Sequence, residues 1–497
     1  MKIISAQQTR EADTFTIKQQ AITSTDLMER AANACVKSIL HQSEALTEFT
    51  VFCGKGNNGG DGLAIARLLA SANRKVEVYI VNHTEKESVD FSVNLKRLQE
   101  QKFVSVQYIN KVGDLKPITN PNHIIIDALL GTGINKAVAG LLADVIAFIN
   151  ELHLFVIAID APSGLFCDER PTHKNIIHAN ITLTFQRPKF TFLFADFYEY
   201  VGNFEILDIG LDEPFIEAQA SKYYYTTSYA IDKLLVPRTK FTNKGTYGHA
   251  LLLAGSKGKI GAAILSAKAC LRSGVGLLSV CLPACGYTAM QTALPEAMVL
   301  TDTDDDYLTA CPDLSTYAAV GMGPGIGREK QTAQALKVLI QQTNVPLVLD
   351  ADALNMLSEN KTWLSFLPSN TILTPHPKEF DRLTYTHTNA FERLQTCKEF
   401  ALKNNIIVVL KGAHTAVVLP NGQVFFNSTG NAALAKGGSG DVLTGMILAL
   451  LANGYSEEEA AIMAVYLHGL AADKYIKTYK PESMLASDLI DMLKEVY

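Results

Sequence analysis

The sequence predicts an α/β protein made of two successive units, the first a doubly wound parallel sheet. Three observations carry that reading. Short apolar runs alternate with stretches whose apolar residues recur at helical spacing. Those runs end repeatedly on Gly-rich or acidic turns, where parallel sheets gather ligands. The alternation also weakens once, near residue 225, and then starts again. Composition agrees: of 497 residues, 48% are hydrophobic and 19% charged, an ordinary globular balance. Lys and Arg number 44 against 50 Asp and Glu, a net charge of -6. Such a chain has no global field for nucleic acid or anionic lipid, so neither is expected as a partner.

In chain order, residues 50–53 read as a strand, 54–62 as a Gly-rich loop and 63–72 as a helix. Strands follow at 76–81, 124–127 and 154–160, with a crossover helix at 138–150 and a late strand at 204–209. Residues 222–244 hold a Tyr run, Pro237 and several basic and Thr residues, and the boundary is placed there, giving units 1–215 and 226–497. The second unit restarts with a strand at 249–254, a small-residue helix at 261–273 and a strand at 277–282. Further strands are read at 318–322, 346–350, 370–373, 406–411 and 416–419, and long helices at 439–453 and 460–475. There is no internal repeat and no low-complexity tract.

Eight cysteines are sparse, and Cys281 and Cys285 have no partner histidines to complete a zinc site, so reduced, inert thiols are expected. The N-terminus has no long apolar core and does not read as a signal peptide. The most apolar stretch, 442–452, is shorter than the roughly 20 residues a bilayer span needs and contains Thr444 and Gly445. A soluble, cytoplasmic protein without a membrane partner is expected.

Three polar strand ends stand out in the first unit. The first runs from Gly54 to Gly62 and reads GKGNNGGDG. A Gly-rich turn before a helix lets backbone amides approach phosphates. It is neither a Walker A loop nor a standard dinucleotide fingerprint. Asp127 opens DALLGTG, and Asp160 opens DAPSGL. A single aspartate at a strand end is most often a cap or turn former. Three such ends in one parallel sheet converge on one crevice. Asn58, Asp127 and Ser163 offer hard oxygen ligands for a cation, and Asp160 offers an acid/base.

With these motifs in order and at matching spacing, residues 1–215 resemble the YjeF N-terminal domain, the NAD(P)H-hydrate epimerase. Ala161 stands where the family usually has Val. The resemblance implies that Asn57, Asn58, Gly59, Gly60 and Asp61 bind the hydrated dinucleotide, together with Gly131, Thr132, Gly133, Ile134, Asn135, Lys136 and Ala137. It implies that Asn58, Asp127 and Ser163 hold a potassium ion and that Asp160 is the catalytic acid/base in contact with substrate.

The second unit carries NAALAKGGSGDVLTG at 431–445. Gly437–Gly440 precede an apolar helix, so loop amides and helix N-terminus make an anion hole for a transferring phosphoryl group. Asp441, in the first turn, is placed to take a proton from an attacking hydroxyl. Other strand ends read GPGIG at 323–327, LDADALN at 349–355, TPHPKEF at 374–380 and LKGAHT at 410–415. His376, held between two prolines, suits a ligand contact.

This half resembles the ribokinase-like YjeF C-terminal domain, the ADP-dependent NAD(P)H-hydrate dehydratase. Lys378 replaces the usual Gly after His-Pro, and Ala432-Ala433 stands where Pro-Gly is common. The resemblance implies that Ala262, Gly325, His376 and Asp441 contact the hydrated dinucleotide. Lys411, Gly412, Ala413, His414, Thr415 and Gly440 would contact the adenine nucleotide. It further implies ADP as phosphoryl donor, with ATP left open, magnesium as the accompanying ion, and NADHX and NADPHX as substrates. The chain is accordingly expected to be bifunctional. The first unit would epimerise R and S hydrates, and the second would dehydrate the S form, leaving AMP and phosphate. A homo-oligomer is expected. Two other readings stay open at this point: a ribokinase-like vitamin kinase with a dinucleotide-binding N-terminal domain, and a non-catalytic scaffold.

Overall fold

The computed structural model describes residues 1–44, 46–101 and 104–497. The chain divides into two compact units, Lys2–Ser221 and Lys222–Tyr497, the latter including Met1.

In the first unit, seven strands form one parallel sheet: β1 (Glu48–Cys53), β2 (Lys75–Val81), β3 (Ser105–Ile109), β4 (Ile124–Ala128), β5 (Phe155–Ile159), β6 (Ile181–Phe185) and β7 (Asn203–Leu207). Their spatial order is β3-β2-β1-β4-β5-β6-β7. The central strands are fully buried Val, Ile and Phe runs, as a sheet covered on both faces requires. Helices α1 (Ala6–Gln20), α2 (Asn57–Ser71) and α3 (Leu141–Glu151) matter for the site. Strand order reverses between β1 and β4, the position at which parallel sheets gather ligands.

One expectation is corrected here. The Gly-rich stretch 54–62 is a loop only to Gly56, and Asn57 already opens α2. Its glycines serve close packing. A Cβ on Gly59 would lie 1.8 Å from the Gly54 carbonyl oxygen, and one on Gly62 would lie 2.6 Å from the Ala128 Cβ. A bulkier helix start would push α2 off the sheet.

In the second unit, ten strands form one sheet: β8 (Tyr223–Tyr225), β9 (His249–Leu253), β10 (Leu277–Leu282), β11 (Met298–Thr301), β12 (Ala319–Met322), β13 (Leu347–Leu349), β14 (Ile372–Leu373), β15 (Ile407–Leu410), β16 (Ala416–Val418) and β17 (Val424–Phe426). The order is β11-β10-β9-β12-β13-β14-β15-β16-β17-β8. Only the β15–β16 and β16–β17 pairs are antiparallel. The Tyr run assigned to the boundary is therefore strand β8, where Tyr224 stacks on Phe425 at 4.7 Å. The helices used below are α4 (Ile260–Arg272), α5 (Pro377–Leu383), α6 (Ser439–Ala452) and α7 (Glu457–Ile476).

Helix α6 is buried from Val442 to Ala452 and packs on α4 and on β9, β12 and β13. This explains the two residues that interrupt its apolar run. A Cβ on Gly445 would meet the Ser266 carbonyl oxygen at 2.1 Å, so glycine lets α4 and α6 cross in contact. Thr444 donates its hydroxyl to Asp350 at 2.7 Å. Among the described residues no helix is long and apolar enough to cross a membrane. The eight cysteines are free thiols, most of them buried.

Candidate active sites

The first site lies at the switch point between β1 and β4. The Gly54 amide donates to the Ala128 carbonyl at 3.0 Å, tying the two strand ends together. In the first turn of α2, Asn58 is buried, and neither its amide oxygen nor its nitrogen has a partner among the described residues. A Cβ on Gly131 would lie 3.3 Å from the Asn58 Cβ, so the DALLGTG turn closes over this side chain. Asp127 is fully buried. Its Oδ1 accepts the Ser163 hydroxyl at 2.6 Å and its Oδ2 accepts the Ser163 amide at 2.8 Å. Burial pushes Asp127 up to about 6, against the pull of the Ser163 hydroxyl and amide and of the Leu129 amide. Asn58, Asp127 and Ser163 thus supply one carboxylate, one hydroxyl and an unpartnered amide oxygen. That donor set suits a monovalent cation, whose charge one carboxylate balances and whose ligands are hard oxygens.

Asp160 sits in the turn after β5 with φ +65, a left-handed conformation Asp tolerates better than most residues. Its amide donates to the Leu183 carbonyl at 2.7 Å, bending the chain so that the carboxylate faces Lys189 at 3.0 Å. The Lys189 side chain is only 3% exposed, and its ammonium also donates to the Phe185 carbonyl at 3.4 Å. Asp13 on α1 and Asp61 on α2 complete the cluster. Burial, then the charge of Asp160, pushes Asp13 up to about 6, while Lys189 pulls the other way. Asp61 is pushed well above the usual carboxylate range, first by burial and then by Asp160, Asp13 and Asp90. Crowding of these carboxylates beside the buried Lys189 ammonium raises Asp13 and Asp61 toward the protonated form. Sequence reasoning found Asp61 and Asp160 but not Asp13 or Lys189. Asp13 reads as a surface helix residue, and Lys189 follows a strand that escaped detection. Gly133 lies near Arg10, and Asn57 and Asn135–Ala137 are exposed, along the open rim beside Thr132 and Ile134.

The second site lies at the switch point between β9 and β12. The Gly255 amide donates to the Pro324 carbonyl at 2.8 Å, and the Ser256 hydroxyl donates to the Gly325 carbonyl at 2.7 Å. Gly325 has φ +64, and a Cβ there would sit 3.0 Å from the Ala262 Cβ. These bonds bring Ala262 and Gly325 together. Gly438, at φ +93, turns the chain into α6, so Ser439, Gly440 and Asp441 form its first turn; the Ser439 amide donates to the Lys436 carbonyl at 3.5 Å, and the amides of Gly440 and Asp441 open the helix. The start of α6 is fixed from two sides. The Ser266 hydroxyl donates to the Asp441 carbonyl at 2.8 Å, and His468 Nε2 on α7 donates to the Ser439 carbonyl at 2.9 Å. Burial lowers His468 to about 4, so the ring is neutral with its proton on Nε2.

Asp441 is pushed up to about 7, by burial first, then by Asp350 and Asp352, with Lys411 opposing. A base at that value is matched to neutral pH. Asp350 lies deeper, with its side chain 2% exposed. It accepts the Thr374 hydroxyl at 2.6 Å, the Thr444 hydroxyl at 2.7 Å and the Lys411 ammonium at 2.8 Å. Burial opposes its charge, but Lys411 and the two hydroxyls hold it below the usual range. Asp350 and Thr444 were not singled out by sequence, because a strand-end Asp and a helix-interior Thr signal nothing alone.

His376 is the N-cap of α5, its Nδ1 accepting the Lys378 amide at 3.1 Å and the Glu379 amide at 3.3 Å. That fixes its tautomer, with Nε2–H facing the Glu379 Oε1 at 3.5 Å. Lys378 is exposed in the first turn of α5. Ala432-Ala433 opens a short 3-10 turn capped by Asn431, which Asp473 anchors at 2.8 Å. Of the 411–415 segment joining β15 to β16, Gly412 and Ala413 are exposed at the tip. His414 Nδ1 donates to the Asn427 carbonyl at 2.9 Å, and Thr415 donates to the Gly412 carbonyl at 3.0 Å. No metal-holding cluster of three or more His, Cys, Asp or Glu occurs among the described residues.

Fold and sites define a class: a two-unit α/β enzyme with a carboxylate-lined crevice at one switch point and a Gly-started helix N-terminus at the other. Comparison with known proteins places it further. The family model described as YjeF-related protein N-terminus matches residues 24–191, and that described as NAD(P)H-hydrate dehydratase matches residues 250–495. The bifunctional NAD(P)H-hydrate repair enzyme Nnr of Moorella thermoacetica is 34% identical over 100% of this chain and 96% of its own length. That of Coxiella burnetii is 32% identical over 98% and 97%. A crystal structure of the ADP/ATP-dependent NAD(P)H-hydrate dehydratase of Bacillus subtilis, with ATP and Mg2+, matches at 34% identity and TM-score 0.48. That match covers 55% of this chain and 97% of that one. The chain belongs to the bifunctional NAD(P)H-hydrate repair enzyme family.

Proposed function

We propose that this chain restores hydrated NADH and NADPH, its first unit exchanging the R and S epimers and its second dehydrating the S epimer with ADP. One observation carries the reading. A single chain places a carboxylate-lined crevice at one switch point and, at the other, a base in the first turn of a Gly-started helix. Water is a poor leaving group from saturated carbon, and phosphate is a good one. In the second unit Asp441 takes the proton of the substrate hydroxyl. The hydroxyl oxygen bonds to the terminal phosphorus of ADP, AMP leaves, and the amides of the α6 start receive the phosphoryl charge. The ring nitrogen then expels phosphate, and loss of a proton from the neighbouring ring carbon to solvent restores the double bond. ATP in place of ADP would leave ADP as the product.

In the first unit Asp160 serves as acid/base at the hydrated carbon, with Asn57–Asp61 and Gly131–Ala137 lining the substrate. Asn58, Asp127 and Ser163 would hold a potassium ion. The ion supplies positive charge that offsets Asp127 and draws the two turns together. His376, with Ala262 and Gly325, would meet the dinucleotide in the second unit, and Lys411–Thr415 and Gly440 the adenine nucleotide. A homo-oligomer in the cytoplasm, where the NAD(P)H pool lies, belongs to the same reading.

The test is a turnover assay on mixed epimers of hydrated NADH with ADP, with ATP, or with neither, following dihydronicotinamide absorbance. Full recovery with phosphate release supports both activities and names the donor. Recovery stalling at one epimer removes the epimerase reading. Phosphate retained on the product favours a kinase, and no recovery discards the repair reading.

A further inference from the structure

The family resemblance groups Lys411 with the residues that grip the nucleotide. The geometry points elsewhere. We infer that Lys411, held by Asp350 against Gly440, neutralises the transferring phosphoryl group, and that Asp350 is the residue positioning it. The inference rests on the dehydratase reading and goes beyond it.

Lys411 follows directly on β15, and its amide donates to the Pro375 carbonyl at 3.0 Å, so its backbone is anchored next to the start of α5. Its side chain reaches inward and is 23% exposed. The ammonium lies 2.8 Å from Asp350 Oδ1, and a Cβ on Gly440 would come within 3.2 Å of it. It is therefore pressed against the first turn of α6, whose amides make the anion hole. Any phosphoryl oxygen bound to the Gly440 amide would be within reach of this charge. One of the three ammonium protons goes to Asp350, and no other partner for them occurs among the described residues.

Asp350 is not free to act on substrate. Both its oxygens are taken, by Thr374 and Lys411 on one and by Thr444 on the other. A buried ion pair contributes little net stability, because desolvation offsets the attraction. What this one supplies is geometry. Thr444 belongs to α6, Thr374 to the end of β14 and Lys411 to the end of β15. Asp350 thus ties the ammonium to the same helix that carries Asp441 and the loop amides, and that pre-sets charge where the phosphoryl group passes. A tether for the nucleotide would need no such link to α6. Asp441 is faced by Asp350 and Lys411, by Asp352 beyond them, which pairs with Lys259 at 3.3 Å, and by neutral His468 across the Ser439 carbonyl.

The experiment compares the unmodified chain with Lys411→Met, Lys411→Arg and Asp350→Asn, varying ADP with hydrated NADH saturating. Lys411→Met is expected to lower kcat about 100-fold or more while KM for ADP moves less than about threefold. Lys411→Arg recovers at least about a tenth of the lost rate. Asp350→Asn lowers kcat less than Lys411→Met, and the double variant is no worse than Lys411→Met alone, as for residues acting in series. The acidic limb of the kcat/KM profile moves down in Asp350→Asn, which loses a neighbouring negative charge, and up in Lys411→Met. A raised KM for ADP with kcat intact, or limbs that do not move apart, overturns the inference while leaving the dehydratase reading in place. No recovery by the unmodified chain overturns both. If Asp350→Asn does not fold, by its melting curve, the two Lys411 variants decide alone.

Discussion

The two sites occupy the same place in their sheets, the point where strand order reverses, yet they handle charge in opposite ways. The first gathers Asp13, Asp61 and Asp160 around one buried ammonium, Lys189. It carries more carboxylates than ammonium groups, and burial favours the protonated forms of Asp13 and Asp61. The second surrounds its base with the α6 amides and with an ammonium already paired to Asp350. It is arranged to receive an anion. The difference teaches that a parallel sheet supplies a location, while the chemistry comes from which side chains close it. A site for moving protons crowds carboxylates together. A site for moving phosphoryl groups keeps one carboxylate basic, ties the next, Asp350, to an ammonium, and turns helix amides toward the anion.

The comparison can be broken most sharply at the two aspartates. Asp441→Asn is expected to cut dehydration roughly a thousandfold or more, as loss of a general base does, and to leave epimer exchange unchanged when the two epimers are followed by chromatography. Asp160→Asn is expected to do the reverse, slowing epimer exchange about 100-fold. Dehydration would then run at full speed until the S epimer is gone and stall on the R form. Equal loss of both activities in either variant would end the two-site account.

Acidity should separate the units next. Asp441 works as carboxylate, so dehydration falls below about pH 7, approaching about tenfold per unit. The same shift acts on stability. A carboxyl raised above its unfolded value costs stability as pH rises from about 4 through about 7. Asp441→Asn should therefore melt a few degrees higher than the unmodified chain at pH 8 and show little gain at pH 4. A gain largest at low pH would contradict the sign.

Ion replacement sharpens the contrast further. Exchanging potassium for lithium, or Asn58→Ala, should slow epimer exchange about tenfold and leave dehydration alone, since the partnerless Asn58 amide lies only in the first unit. The smallest expected effect is Lys378→Gly. Lys378 is exposed on α5 and points to no partner in the site, so dehydration should stay within about twofold of the unmodified rate.

Much of this architecture was legible in the sequence, and the failures have physical causes. Buried central strands such as β1, β4, β9 and β12 are mostly apolar runs closed by glycine or aspartate, so pattern alone finds them. Strands β3, β11 and β8 sit at sheet edges with half-exposed faces, and β17 is only Val424–Phe426, too short to show a period. Strand β6 alternates Ile, Leu and Phe with Thr182 and Thr184, both fully buried, so its polar positions suggested a solvent face that does not exist. Missing β6 hid Lys189, which the turn after it delivers to Asp160. Motif residues such as Asn58, Asp160 and Asp441 announced themselves because glycines lie close by. Asp13, Asp350 and Thr444 did not, because their meaning depends on partners far away in the chain: Asp350 meets Thr444 across 94 residues of sequence.

Helix α6 fills the groove between α4 and strands β9, β12 and β13, all of which are synthesised before it. Until it emerges from the ribosome the second unit is an open groove lined by Ala263, Ala267, Cys270 and Val348, a surface that attracts chaperones and other nascent chains. The segment that closes this core also brings Asp441 and the phosphate-facing amides. Packing of α6 into this groove and arrival of Asp441 are thus one event.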